Sequence, residues 1–117
     1  MRIITENRGE MIKALEITNP TKIIAPYGYA FPTDYDTKII MQNENCRKLN
    51  KPGIVLYSEN MHTKLAIGKT QAIIGSWNFT RNSTETMHEL INVITETTLL
   101  QQLNEYFDRL WHRLDKR

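Results

Sequence analysis

His62-Thr63-Lys64-Leu65-Ala66-Ile67-Gly68-Lys69-Thr70-Gln71-Ala72-Ile73-Ile74-Gly75-Ser76-Trp77-Asn78 is a pair of short apolar runs set about a turn. Lys64 to Gly68 and Gln71 to Gly75 read as the arms of a β-hairpin, with Gly68-Lys69 as a tight turn that has its glycine first. Alternate side chains of a strand share a face, so His62 and Lys64 point one way, and Ser76 and Asn78 form a second such pair after the turn. If the hairpin folds back in the obvious register, the two pairs meet at one end of the sheet. Gly75 there lets the backbone approach a ligand closely. Glu89 stands eleven residues after Asn78, at the head of a further apolar run.

Outward from the hairpin, the chain alternates short strands with helices. Ile3 to Thr5 reads as a strand, and Gly9 to about Ile17 as a helix with Met11, Ile12 and Leu15 on one face. Asn19-Pro20 stops that helix, because the residue before proline avoids the helical region. Thr21 to Ala25, Lys38 to Met41 and Ile54 to Tyr57 read as strands, with Asn43 to Asn50 a short helix or irregular connection. Tyr27-Gly28-Tyr29-Ala30-Phe31-Pro32 is an aromatic loop, either folded over the core or holding out rings on which bases stack.

Leu90 to Thr95 is apolar on both alternating faces, which predicts a strand covered on both sides and helices on both faces of the sheet. From Thr97 to Arg117, Leu99, Leu103, Tyr106, Phe107, Leu110, Trp111 and Leu114 recur at three- and four-residue spacing. That is an amphipathic helix, and its mixed charges mark it as packing on the core rather than on a membrane. No repeat or linker interrupts the chain. The expected architecture is a single α/β domain over residues 1–117, with a mixed β-sheet flanked by helices on both faces in α-β-α layers.

Bulk properties exclude several classes. A chain of 117 residues is long enough for one core, and 40% apolar with 24% charged residues is the balance of a soluble globule. One cysteine, Cys46, rules out an internal disulfide or a cysteine-rich zinc site. The first ten residues lack the apolar run of a signal peptide, and no later run reaches the length of a membrane span. The expectation is a cytoplasmic chain without a membrane anchor. A net charge of +2 announces no strong electrostatic partner.

The residue types at the hairpin suit phosphodiester cleavage. An imidazole can attack phosphorus and carry the phosphoryl group as phosphohistidine. Lys64 supplies positive charge, and Ser76 and Asn78 supply neutral hydrogen bonds where negative charge is redistributed. Glu89 can accept from the second nitrogen of the imidazole, fixing its tautomer. His88 is expected on the opposite face from Glu89, and His112 on the polar side of the last helix, so neither supplies a second catalytic imidazole. No group of acidic residues and histidines has metal-ligand spacing, so the reaction is expected to need no metal and no other cofactor.

His62, Lys64, Gly75-Ser76-Trp77-Asn78 and Glu89, followed through Phe79-Thr80, resemble the signature of the phospholipase D superfamily. That signature is a His, a Lys two residues on and an Asp five further, then Gly-Ser-x-Asn and later a Glu. The likeness is strongest to its small single-motif nucleases and runs over residues 21 to 95. It implies a phospholipase D-like half, and a metal-independent phosphodiesterase acting through His62, Lys64, Ser76, Asn78 and Glu89. Lys69 stands where the family has its Asp, and the His-to-Ser interval is one residue short. In the family that Asp is regarded as mainly structural, and the tyrosyl-DNA phosphodiesterase branch works without it.

One motif supplies one imidazole, whereas nucleophile and acid belong on opposite sides of the phosphorus. The resemblance therefore implies a homodimer with one active site across its two-fold interface. Nucleic acid, DNA or RNA, is the expected substrate. Lys48, Lys51, Lys69 and Arg81 flank the motif, where they can meet neighbouring phosphates. Trp77 can stack on a base, although the core is its more ordinary place. The alternatives are a lipid phosphodiesterase of phospholipase D or cardiolipin-hydrolase type, and an inactive nucleic-acid-binding module.

Overall fold

Short runs of branched apolar residues build the sheet of this computed structural model, which describes residues 1–44, 53–80 and 88–116. In chain order the elements are β1 (Arg2–Thr5), α1 (Arg8–Thr18), β2 (Lys22–Ile24), β3 (Lys38–Met41), β4 (Ile54–Tyr57), β5 (Leu65–Ile67), β6 (Ala72–Gly75), β7 (Leu90–Ile94) and α2 (Thr97–Leu114). The seven strands form one sheet in the order β1-β7-β6-β5-β2-β3-β4. Pairings β2–β3 and β3–β4 are parallel and the others antiparallel, so the sheet is mixed, as expected. Cys46, Lys48, Lys51 and Arg81, with the Asn43–Asn50 connection after its first two residues, lie outside the described residues.

Strand alternation divides the core into two layers. Ile23, Ile39, Ala66, Ile73 and Ile91 face α1, whose Met11, Ala14 and Leu15 are buried against them. Their neighbours Ile24, Ile40, Leu65, Ile67 and Ala72 face Phe107 and Trp111 of α2. The periodicity of the last segment is therefore realised as a packing helix, ending at Leu114 rather than Arg117. Lys22 and Lys38 lay their ammonium groups over the Phe107 and Trp111 rings at 5.8 and 5.4 Å, and Lys22 also pairs with Asp108 at 2.8 Å. These contacts seal the end of the α2 layer.

α1 begins at Asn7, whose side chain accepts from the Glu10 N–H at 3.1 Å. It ends at Asn19 in the left-handed conformation, with the Asn19 N–H bonded to the Leu15 carbonyl at 3.1 Å before Pro20. The last turn of α1 is a docking surface for the hairpin. Gln71 Nε2 donates to the Ala14 carbonyl at 3.1 Å and to Thr18 Oγ1 at 2.9 Å, and Thr18 Oγ1 donates in turn to the Ala14 carbonyl at 2.7 Å.

Two details of the hairpin differ from expectation. Ile67 pairs with Ala72 and Gly68 N–H bonds to the Gln71 carbonyl at 2.9 Å, so Lys69-Thr70, and not Gly68-Lys69, is the centre of the turn. Gly68 has an ordinary φ, and its reason is space: a Cβ there would sit 1.8 Å from the Thr18 carbonyl oxygen. Gly75 likewise makes room for a backbone neighbour. Its φ is +155°, and a Cβ would lie 2.2 Å from the Leu90 carbonyl of β7.

The aromatic loop folds inward. Tyr29 and Phe31 are buried and only Tyr27 stays out, 55% exposed. Tyr29, Phe31, Trp77 and Phe79 form a ring of edge and tilted contacts with centroids 5.5 to 6.3 Å apart. Burial holds the Tyr29 phenol well above its ordinary range. The expectation that β7 is covered on both faces is only half met. Ile91 and Val93 are buried on the α1 side; on the other side Ile94 is buried too, but Leu90 at the start of the strand is 45% exposed, because α2 packs toward β4 and β5.

Candidate active site

Strand directions decide where the motif residues gather. β5 and β7 begin, and β1, β2, β3, β4 and β6 end, at the same end of the sheet. His62 and Lys64 precede β5, Ser76 and Asn78 follow β6, and Glu89 precedes β7. All five therefore lie along one end, on three adjacent strands spaced about 4.8 Å apart. His62 and Ser76 are exposed, while Lys64, Asn78 and Glu89 are half-buried.

A hydrogen-bond chain ties the Ser76 corner to β7. Ser76 Oγ donates to Glu89 Oε2 at 2.9 Å and accepts from the Leu90 N–H at 3.0 Å, while the Ser76 N–H donates to the Leu90 carbonyl at 3.0 Å. Glu89 is thus joined to Ser76. It makes no hydrogen bond to the His62 imidazole, which is itself free of hydrogen bonds and ion pairs among the described residues. Asn78 Oδ1 is shut off from solvent and has no donor among the described residues, which costs about 1–3 kcal/mol in a folded chain. Such an orphan acceptor at the end of a sheet is a group that a bound ligand or a second chain can satisfy.

The aromatic ring fixes the loop that carries Ser76 and Asn78. Trp77 is 2% exposed, lies against Phe31 and Phe79, and donates its indole N–H to the Thr80 carbonyl at 3.1 Å. Its faces are taken, so the stacking role expected for it is corrected to an anchoring one. Phe79 is buried with φ of +60°, a strained value for a non-glycine residue, held by its aromatic neighbours and by the Ala30 N–H bonded to its carbonyl at 3.3 Å. Sequence reasoning misses the part played by Tyr29, Phe31 and Phe79, whose only signal is their aromatic character.

Lys69 is a second correction. A hairpin carries its turn at the end opposite its open ends, and Lys69 lies in that turn. Seven residues separate it from His62, about 20 Å along an extended chain, so it cannot flank the same phosphate. Arg81 lies outside the described residues.

His112 is exposed, as expected. His88 is 88% exposed at its side chain, with Nδ1 2.8 Å from Glu6 Oε1, in keeping with a surface role. Between the Glu6–His88 pair and the start of α1 lies a recess of about 510 Å³ that Glu89 also lines, so it adjoins the Ser76 corner. Among the described residues no three His, Cys, Asp or Glu side chains converge as metal ligands do, and no helix is long and apolar enough to cross a membrane.

Comparison with known proteins gives this geometry its relatives. Residues 2–111 match the family described as "Cardiolipin synthase, PLD-like domain". Among solved structures, NucT from Helicobacter pylori is similar with a TM-score of 0.68 at 15% identity, over 95% of this chain and 94% of its own. Nuc from Salmonella typhimurium, a phospholipase D family member, is similar with a TM-score of 0.64 at 16% identity, over 95% and 93%. TrmBL2, an archaeal chromatin protein with a novel mode of DNA binding, is similar with a TM-score of 0.54 at 10% identity, over all of this chain and 54% of its own. No curated protein sequence matches the chain. With the family matched over nearly its whole length and the same fold in its structural neighbours, the chain belongs to the phospholipase D superfamily as a PLD-like domain.

Proposed function

We propose that this chain is a metal-independent phosphodiesterase that cleaves DNA or RNA in the cytoplasm, through a site completed by a second copy of itself. The observation that carries the reading is the gathering of His62, Lys64, Ser76, Asn78 and Glu89 at one end of the sheet, within a family match over residues 2–111. His62 of one copy attacks phosphorus, the bond to the leaving oxygen breaks, and that oxygen takes a proton from the imidazolium of the second copy. Water then gives a proton back to that imidazole and displaces the P–N bond. Lys64 and the Asn78 amide hold the phosphoryl oxygens, and Ser76 keeps the Glu89 carboxylate beside them.

The absent motif Asp weighs little against this reading. The turn where the resemblance expects it is tied to α1 by Gln71 and by the close approach of Gly68 to Thr18, so the hairpin is held without an acidic residue. Likeness to TrmBL2, a DNA-binding protein, supports a nucleic-acid substrate. The family description names cardiolipin synthase, which keeps a lipid phosphodiesterase as the second reading.

Bis(p-nitrophenyl) phosphate and labelled single-stranded DNA, each in EDTA, separate these readings. His62→Ala is expected to lower hydrolysis of both by at least about ten-thousand-fold, as loss of a covalent nucleophile does. Unchanged turnover would remove His62 as nucleophile. Salt-dependent DNA binding without turnover would mark a binding module, and cleavage of phospholipid vesicles but not DNA would mark the lipid enzyme.

A further inference from the structure

The recess beside the Ser76 corner, about 510 Å³, falls within the about 300–1,000 Å³ of small-molecule sites. Fully buried Met11 gives it apolar lining, and Glu6, Arg8, His88 and Glu89 bring charged or polar groups to it. Glu6 is fixed twice over. Its N–H donates to the Glu89 carbonyl at 3.2 Å, and its Oε1 lies 2.8 Å from His88 Nδ1. Its φ of +56° belongs to the left-handed region, which a residue with a long side chain occupies only where its surroundings hold it. Both side chains of the pair are largely exposed, so the contact adds little to stability. What it does is orient a carboxylate at the recess. A carboxylate accepts at about four lone-pair sites, so His88 directs Glu6 without using it up.

Charge selects the kind of ligand. Glu6 and Glu89 repel an anion, whereas Arg8 and the N-terminus of α1 oppose a cation. Glu6, His88 and Glu89 do not converge as metal ligands do. A neutral, flat group with N–H donors on one edge and an acceptor beside them suits both signs. We propose that the recess takes a guanine base of the substrate strand, a proposal that rests on the nucleic-acid phosphodiesterase reading above. Guanine presents two adjacent N–H donors, at N1 and N2, to one carboxylate, and its O6 to a guanidinium donor. Adenine and cytosine offer one amine beside an acceptor, and thymine or uracil one N–H between two acceptors. Glu6 takes the paired donors, Arg8 donates to O6, and Met11 supplies apolar contact. Position agrees with this. Glu89 both lines the recess and accepts from Ser76 Oγ at 2.9 Å, so a phosphate at the Ser76 corner has the recess as its neighbour. Ser76 after β6 and Glu6 after β1 stand two strand spacings apart, about 10 Å, close to the span from a phosphate to the outer edge of its own base.

Mixed-sequence single-stranded DNA and RNA, cleaved in EDTA with the cut positions read by sequencing, test the assignment. The wild type is expected to cut beside guanine at least about tenfold more often than beside thymine or uracil, the scale of one bidentate base contact. Inosine in place of guanine lacks the N2 amine and is expected to lose most of that ratio, while 7-deazaguanine keeps the edge and the ratio. Glu6→Gln is expected to bring the ratio below about twofold, a readout that a change in overall turnover does not move. Glu6→Asn, a residue at ease at positive φ, is expected to show the same loss and keeps the question answerable should Glu6→Gln fail to fold. Equal cutting beside all four bases, inosine cut as readily as guanine, or a ratio that survives both Glu6 variants overturns the recess as a base site and leaves the phosphodiesterase standing. Cleavage of phospholipid vesicles with neither nucleic acid cut overturns the nucleic-acid reading and the recess with it.

Discussion

The two ends of the β5–β6 hairpin are built to opposite specifications. At the turn, the residues that flank its centre are tied down: Gly68 N–H meets the Gln71 carbonyl, Gln71 reaches both Ala14 and Thr18, and the Thr18 carbonyl fills the space where a Cβ at Gly68 would lie. At the open end, His62 is exposed without a partner among the described residues, Asn78 Oδ1 is buried without one, and only the Ser76–Glu89 corner is tied down. Stability sits at one end, and unspent hydrogen-bonding capacity at the other. A chain that holds polar groups unmet at one place needs its anchoring elsewhere.

The largest break in that contrast comes from Gly68→Ala. A methyl 1.8 Å from a carbonyl oxygen cannot be accommodated by a side-chain swing, since the obstacle is backbone. The turn must lift from α1, at about 3 kcal/mol, the upper end for overpacking. Urea unfolding is expected to show a lowered midpoint of that size. Were the midpoint unchanged, the anchoring role of the turn would fall.

Ser76→Ala probes the opposite end. It removes the donor to Glu89 and the acceptor for the Leu90 N–H on an exposed corner, so unfolding free energy is expected to fall by less than about 1 kcal/mol. Hydrolysis, by contrast, is expected to drop about ten- to a hundredfold, as a mispositioned carboxylate costs in preorganised sites. A variant that loses stability and keeps turnover would invert the comparison. Gln71→Ala completes the pair: two half-buried hydrogen bonds to α1 disappear, for about 1–2 kcal/mol in urea unfolding, with turnover changed less than about twofold.

Much of this is legible in the sequence, and for stated reasons. The strands announce themselves as branched apolar runs, α2 by its three- and four-residue spacing, and the motif residues by fixed offsets that a strand converts into a shared end of the sheet. What stays hidden depends on long-range partners. Gly68 reads locally as a turn glycine, and only the position of α1, fifty residues earlier, shows that it is a contact glycine. Trp77 beside a motif reads either as core or as a stacking platform, and only Phe31 lying across it decides for the core. Leu90-Ile91-Asn92-Val93-Ile94 reads as covered on both sides along its whole length, and nothing in its composition says that cover on the α2 side reaches Ile94 and not Leu90. Glu89 reads as the imidazole's partner, whereas the structure spends it on Ser76, thirteen residues away.

Lys69 is the sharpest test because its two readings differ most at least structural expense. Proximity in sequence to His62 and Gly75 assigns it to neighbouring phosphates, whereas the register of β5 with β6 puts it in the far turn, exposed. A surface lysine away from caps, pairs and core changes stability by no more than about 0.5 kcal/mol when truncated. Lys69→Ala is therefore expected to leave urea unfolding within that margin and hydrolysis of single-stranded DNA within about twofold. The dependence of binding on salt discriminates further, since each phosphate left without its cation lowers the slope of log K against log salt by about 0.7 on a single strand. An unchanged slope keeps substrate at the open end of the hairpin. A slope shallower by that amount would mean that the strand crosses the sheet and reaches the turn, and the division between an anchoring end and a working end would have to be redrawn.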